Sequence, residues 1–76
     1  MTDEETLRAE EEATINEFVR LREESGQSQK KLAESVGMKQ QVVGRIEKKL
    51  SSPQLHTFMK LLKPLGYTIA IVPRKD

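Results

Sequence analysis

The sequence has no cysteine and no tryptophan, and it carries a single histidine, a single tyrosine and two phenylalanines. With no thiols there is neither a disulfide framework nor a thiolate metal site. No apolar run approaches the ~18 residues of a membrane span, and the acidic N-terminus is unlike a signal peptide, so a cytoplasmic protein without membrane contact is expected. Catalytic patterns are lacking as well. There is no Gly-x-Ser-x-Gly elbow, no glycine-rich phosphate loop and no metal-ligand spacing, and Glu10 to Glu12 belong to a charged helix face. An enzyme is not expected, and no cofactor is implied. His56 alone carries no chemistry; it reads as a surface residue or a phosphate contact.

What is present is enough for one small module. In 76 residues, Leu, Ile, Val and Phe make up a quarter of the chain, above the ~20% below which charged chains stay disordered. A domain this short buries only ~60% of the surface its unfolded chain exposes. Without disulfides or a metal it depends on helix packing or on a second copy, so a homodimer is expected.

Charge is distributed unevenly. Residues 1–25 hold nine acids and three bases, a net −6, whereas residues 26–76 hold ten bases and three acids, a net +7. Such asymmetry suggests a polyanion as partner of the basic part, with the acidic end turned away or binding something else. A solvated acidic helix beside a solvated basic surface is the plainer alternative.

Residues 3–24 lack glycine and proline and place Ile15, Phe18, Val19, Leu21 and Arg22 at helical spacing, so they read as helix one, ended by Gly26. Its first turns, polar apart from Leu7, Ala9 and Ala13, either fray or lie on a partner. Ser28 caps a short helix two with Leu32, Ala33 and Val36 as its apolar face, stopped by Gly37. Helix three is expected over 39–48, with Val43 and Ile46 inward. In the loop that follows, Ser52 is expected to cap helix four, with Pro53 at the first helical position. Helix four presents Leu55, Phe58, Met59, Leu61 and Leu62, and Pro64 and Gly66 close it. The β-branched run 67–72 reads as a strand. No second strand candidate exists in the chain, so its backbone groups require another copy or another protein; the alternative is an extended tail lying on its own helices.

A capped short helix, a turn with Gly37 and a helix bearing Gln, Lys and Arg make a helix-turn-helix arrangement. The run from Ser28 through Leu32, Ala33 and Gly37 to Ile46 and Glu47, followed by Ser52, Pro53, Leu55, Leu65 and Gly66, resembles the Cro and phage-repressor type of helix-turn-helix, the XRE class. The resemblance covers roughly residues 18–66. The ending Gly66-Tyr67-Thr68-Ile69-Ala70-Ile71-Val72-Pro73 is similar to tails of small antitoxins of the HigA and HipB kinds. Two positions depart from the pattern: Gln27 stands at a usually apolar site, and Pro64 where helix four normally continues. Helix four is therefore expected to end early and turn the chain into the strand.

The resemblance implies a mostly α fold, a four-helix repressor-like domain with one C-terminal β-strand pairing across a homodimer. The chain then divides into 1–14, an acidic extension of helix one; 15–66, the helix-turn-helix domain; and 67–76, a dimerisation strand and basic tail. The strand would pair through Tyr67, Ile69, Ile71 and Val72. Lys39, Gln40, Gln41, Val42 and Arg45 match base-reading positions, with phosphate positioning as the competing role of Lys39 and Arg45. Ser28, Gln29, Lys30, Gly44, Lys48, Lys49 and Ser51 match phosphate-contacting positions. Gly44 either permits close approach to DNA or is simply tolerated in the helix at ~1 kcal/mol relative to Ala. Arg22 and Glu47 match a structural ion pair. The implied function is a sequence-specific DNA-binding regulator, a repressor acting as a homodimer on an inverted repeat of double-stranded DNA. The alternative is an antitoxin that holds a toxin protein and autoregulates its operon.

Overall fold

The structure is a computed structural model that describes residues 2–75. It contains four α-helices: α1 Asp3–Glu24, α2 Gln29–Ser35, α3 Gln40–Glu47 and α4 Leu55–Leu62, with a 3-10 turn at Lys63–Leu65. Helix α1 starts at a capping box. The Thr2 hydroxyl accepts the Glu5 backbone N–H at 3.1 Å while the Thr2 backbone N–H donates to Glu5 Oε1 at 3.1 Å, satisfying two helix-end donors reciprocally. The Thr2 hydrogen bonds hold the Glu5 carboxyl below the usual carboxylate range. Helix α1 is thus helical from Asp3, although its first buried residue is Ile15.

At α2, Ser28 Oγ accepts the Lys31 N–H at 3.0 Å. The helix ends with Gly37 at φ 72°, where the Met38 N–H reaches back to the Ala33 carbonyl at 2.9 Å. This paired ending needs a left-handed residue, which glycine supplies without a Cβ penalty. Helix α3 ends the same way, with the Leu50 N–H bonded to the Arg45 carbonyl at 2.9 Å. Here the left-handed position is filled by Lys49, at φ 63°. A lysine in this conformation is uncommon, and its identity gave no sign of it.

Two expectations about α4 are corrected. The helix begins at Leu55 with Gln54 as N-cap, so Ser52 and Pro53 precede the helix instead of opening it. The chain is still tied to the end of α3 at Leu50, and it needs the next residues to cross to α4. Leu55 and Met59, placed on the apolar face by spacing, are 63% and 42% exposed. The inward face of this two-turn helix is filled by Phe58, Leu61 and Leu62, leaving the other side of the stripe outside. Pro64 does end the helix early, as its missing N–H requires.

One core joins all four helices. Ile15 and Phe18 of α1, Leu32 and Ala33 of α2, Val43 and Ile46 of α3, and Phe58, Leu61 and Leu62 of α4 are buried together, with Val19, Val36, Met38 and Leu65 packed against them. Phe18 and Phe58 meet with ring centroids 5.5 Å apart and planes at 60°, a favourable tilted aromatic pair. The core thereby fixes α2 and α3 against α1, so that the outer side of α3 is presented on a rigid base.

The run 67–72 forms no β-strand among the described residues. It is exposed and unpaired by any strand, because strand pairing needs a second strand and this chain has none to offer. Its end is instead held to helix α1: Arg74 Nη2 donates to Glu10 Oε1 at 2.8 Å, and Arg74 Nη1 to Glu10 Oε2. The Arg74 guanidinium holds the Glu10 carboxyl below the usual carboxylate range. A carboxylate with a lowered folded pKa loses its contribution as pH falls through that value, so this clasp opens in acid and persists above ~4.3, the ordinary glutamate value. Both side chains are about half exposed, so salt weakens the pair. In a carboxyl NMR titration at low salt, Glu10 should titrate lower in the wild type than in Arg74→Ala; identical curves would mean that the clasp does not form.

Candidate nucleic-acid interface

Helix α3 presents the side opposite Val43 and Ile46. Gln40, Gln41, Val42 and Arg45 are all exposed on its other faces, and Lys39 stands exposed at the N-cap. The cap is made without a side-chain hydrogen bond, so the lysine is not engaged as a cap. A helix of this kind offers glutamine amides for bidentate pairing, cations for guanine or phosphate, and the Val42 methyls for a thymine methyl. Beyond its C-terminus, Lys48, Lys49 and Ser51 are exposed on the turn shaped by the left-handed Lys49. At the start of α2, Ser28 and Lys30 are exposed and Gln29 is partly buried. Ser28 stands three residues before Lys31, the spacing of a Ser-x-x-Lys pair, but its hydroxyl is used in capping.

Beneath these residues lies a network that aligns the two helices. Arg22 Nε donates to Glu47 Oε2 at 2.6 Å, and Arg22 Nη2 donates to Glu47 Oε1 at 2.9 Å. The side chains are 11% and 7% exposed, so this bidentate pair is largely withdrawn from water. The Glu47 hydrogen bond pushes the Arg22 guanidinium pKa further up. Arg22 Nη1 also donates to the Gln27 carbonyl at 2.9 Å, and Gln29 Nε2 donates to Glu47 Oε1 at 2.8 Å.

The network brings Arg22, Gln27, Gln29 and Glu47 together from α1, the following turn, α2 and α3. Sequence reasoning paired Arg22 with Glu47 but missed both the Gln29 amide on the same carboxylate and the use of the Gln27 carbonyl. A backbone carbonyl is present whatever residue stands at 27, so no side-chain identity could have signalled its use. The resemblance has Gln29 facing a phosphate; the structure commits one of its amide hydrogens to Glu47, and the amide has a second one to donate.

Gly44 is partly buried, and a Cβ placed there would lie 3.5 Å from Gln29 Oε1, an ordinary van der Waals distance. The protein itself therefore does not demand glycine at 44. His56 is exposed in the first turn of α4. Among the described residues, no group of acidic or histidine side chains is arranged to hold a metal, and no helix is long and apolar enough to cross a membrane.

A core that locks a capped short helix against a second helix, with polar side chains outward along the second, defines a helix-turn-helix protein. The Helix-turn-helix family model matches residues 19–72, more than two thirds of the chain, and the chain belongs to this family. An uncharacterized HTH-type transcriptional regulator of Haemophilus influenzae is 49% identical over 61 residues, covering 80% of this chain and 62% of that protein. The chain thus spans about three fifths of the length of that curated relative. A solved structure, a toxin-antitoxin module from Streptococcus pneumoniae, matches with a TM-score of 0.78 and 43% identity over 96% of this chain and 81% of its own. The repressor-type resemblance of the central residues and the antitoxin resemblance of the tail both agree with these matches.

Proposed function

We propose that this protein is a sequence-specific DNA-binding transcriptional regulator, a repressor that acts in the cytoplasm as a homodimer on an inverted-repeat operator. The observation that supports it most directly is that Gln40, Gln41, Val42 and Arg45 are all exposed on a helix whose inner side is locked by the Arg22, Glu47 and Gln29 network. Lys39, Gln40, Gln41, Val42 and Arg45 read base edges, while Ser28, Gln29, Lys30, Gly44, Lys48, Lys49 and Ser51 approach phosphates. Glu47 works from below, orienting the reading helix and the Gln29 amide without touching DNA. Residues 15–66 form the DNA-binding unit, residues 1–14 an acidic extension, and residues 67–76 a dimerising strand and basic tail.

Dimerisation explains the tail. Tyr67, Ile71 and Val72 are more than half exposed and Ile69 lies at the edge of exposure. Pairing of this run with its copy about a twofold axis would satisfy the backbone and cover these side chains. Two reading helices then stand about one DNA turn apart, ~34 Å.

The decisive test is selection of bound duplexes from a randomised pool. A palindrome with half-sites one turn apart is expected, and Gln40→Ala or Gln41→Ala should each cost about 1–3 kcal/mol at defined base pairs while leaving other positions unchanged. No enrichment, or a uniform loss across all sequences, would contradict base reading by these residues.

A second reading has its own support: the chain is 43% identical to a structure described as part of a toxin-antitoxin module. In this reading the protein holds a toxin protein and uses its DNA binding to autoregulate its operon. A stoichiometric partner copurifying with the protein is its expected sign.

A further inference from the structure

We infer that the groove between the first half of α1 and the chain segment joining α3 to α4 is a docking site for a basic, apolar-toothed segment of a partner protein. The inference narrows the partner-binding reading, on which it rests, to one surface. Two adjoining cavities of about 520 and 270 Å³ run along this groove. Glu4, Leu7, Arg8, Glu11 and Glu12 form one wall, and Lys49, Leu50 and Leu55 stand on the other. Positions 4, 7, 8, 11 and 12 share one face of a helix, so this side of α1 carries Leu7 among three carboxylates and one cation, Arg8.

The apolar residues here are uncovered: Leu7 is 50% exposed, Leu50 61% and Leu55 63%. The carboxylates are uncommitted. Glu5 is used in the capping box and Glu10 is clasped by Arg74, whereas Glu4, Glu11 and Glu12 make no side-chain hydrogen bond or ion pair among the described residues. Residues 3–14 hold six acids against one base, Arg8, so the α1 wall favours a cationic occupant whose charges lie along α1 and away from Lys49 on the opposite wall. The chain's own tail is not the occupant, since none of its residues lines the groove.

The arm's geometry agrees. Helix α1 buries nothing before Ile15, and an isolated helical arm of about 12 residues is marginal in water. A segment that covered Leu7 and Leu50 while neutralising the carboxylates would stabilise the arm.

The test uses two labelled synthetic helical peptides of about 15 residues with the same leucine seam. One carries lysine and the other glutamate at the remaining positions. Titrated with the full chain, the lysine peptide should bind at one to one and shift the backbone amides of Leu7, Glu11, Leu50 and Leu55. The glutamate peptide should bind at least roughly tenfold more weakly, and Leu7→Ser with Leu50→Ser, or Glu11→Gln with Glu12→Gln, should weaken the lysine peptide by a similar factor. All four positions are exposed, so circular dichroism should show the fold retained. Binding unaffected by the leucine substitutions would reduce the attraction to diffuse charge and overturn the site. So would amide shifts elsewhere, absence of binding, or sedimentation showing the groove closed by a second copy. A stoichiometric basic protein mapped to another surface would overturn the groove and leave the partner-binding reading intact.

Discussion

Replacing Glu47 by alanine should lower the unfolding free energy by about 3–5 kcal/mol, measured by urea unfolding followed by circular dichroism. Glu47 accepts three hydrogen bonds, two from Arg22 and one from Gln29. Its removal leaves an Arg22 side chain that is 11% exposed without its counter-ion, and an amide without its acceptor. The Gln27 carbonyl keeps one guanidinium hydrogen bond but supplies no charge. A domain of this size has a total stability of roughly 4–11 kcal/mol, so the variant should be close to unfolding at ambient temperature. The joint replacement Arg22→Met with Glu47→Leu should be much nearer to the wild type, because it removes both charges instead of stranding one. A loss below about 1 kcal/mol for Glu47→Ala would show that water screens the pair as it screens a surface bridge. The functional corollary concerns geometry: the same carboxylate holds α3 to α1 and orients Gln29 at the start of α2, so the variant loses alignment of the two helices before it loses any DNA contact.

The largest effect on binding should come from salt. Lys30, Lys48 and Lys49 are the cations proposed to meet phosphates in each copy, which makes six in a dimer. With a slope of about −0.9 per phosphate neutralised, affinity for the selected duplex should fall roughly 10³-fold between 50 and 200 mM salt. Lys48→Ala, counted twice in the dimer, should flatten the slope by about 2 and weaken all sequences alike. That signature separates a positioning cation from a base-reading one: Arg45→Ala should change the slope less and alter the preferred base. A salt-independent affinity would rule out the proposed phosphate contacts. A slope half as steep would mean that one copy binds, and the strand-paired dimer would then have to be abandoned.

The positions of these residues were unequally legible. The boundaries of α2 followed from local chemistry, since Ser28 caps and Gly37 ends it through bonds that span a few residues. Val43 and Ile46 at helical spacing pointed α3 inward and thereby placed Gln40, Gln41, Val42 and Arg45 outside. Such statements need only the 3.6-residue period. Leu55 and Met59 show where the period stops being informative: a two-turn helix has more apolar positions than its contact with the core can cover, and packing alone decides which remain outside. Lys49 was illegible for another reason. Its left-handed backbone is imposed by the closing bonds at the end of α3, and a lysine has no local preference for it.

What the sequence by itself determined was the set of helices, the cap and stop of α2, the apolar residues available for a core, and the helix-turn-helix order, because each depends on neighbours a few residues away. Only the tertiary structure decided which carboxylate Gln29 meets, which leucines stay exposed beside α1, and where the basic end of the tail is held. The Arg74 and Glu10 clasp joins residues 64 positions apart. Partners so distant in sequence are chosen by the packing of the whole chain, and no local period or propensity encodes them.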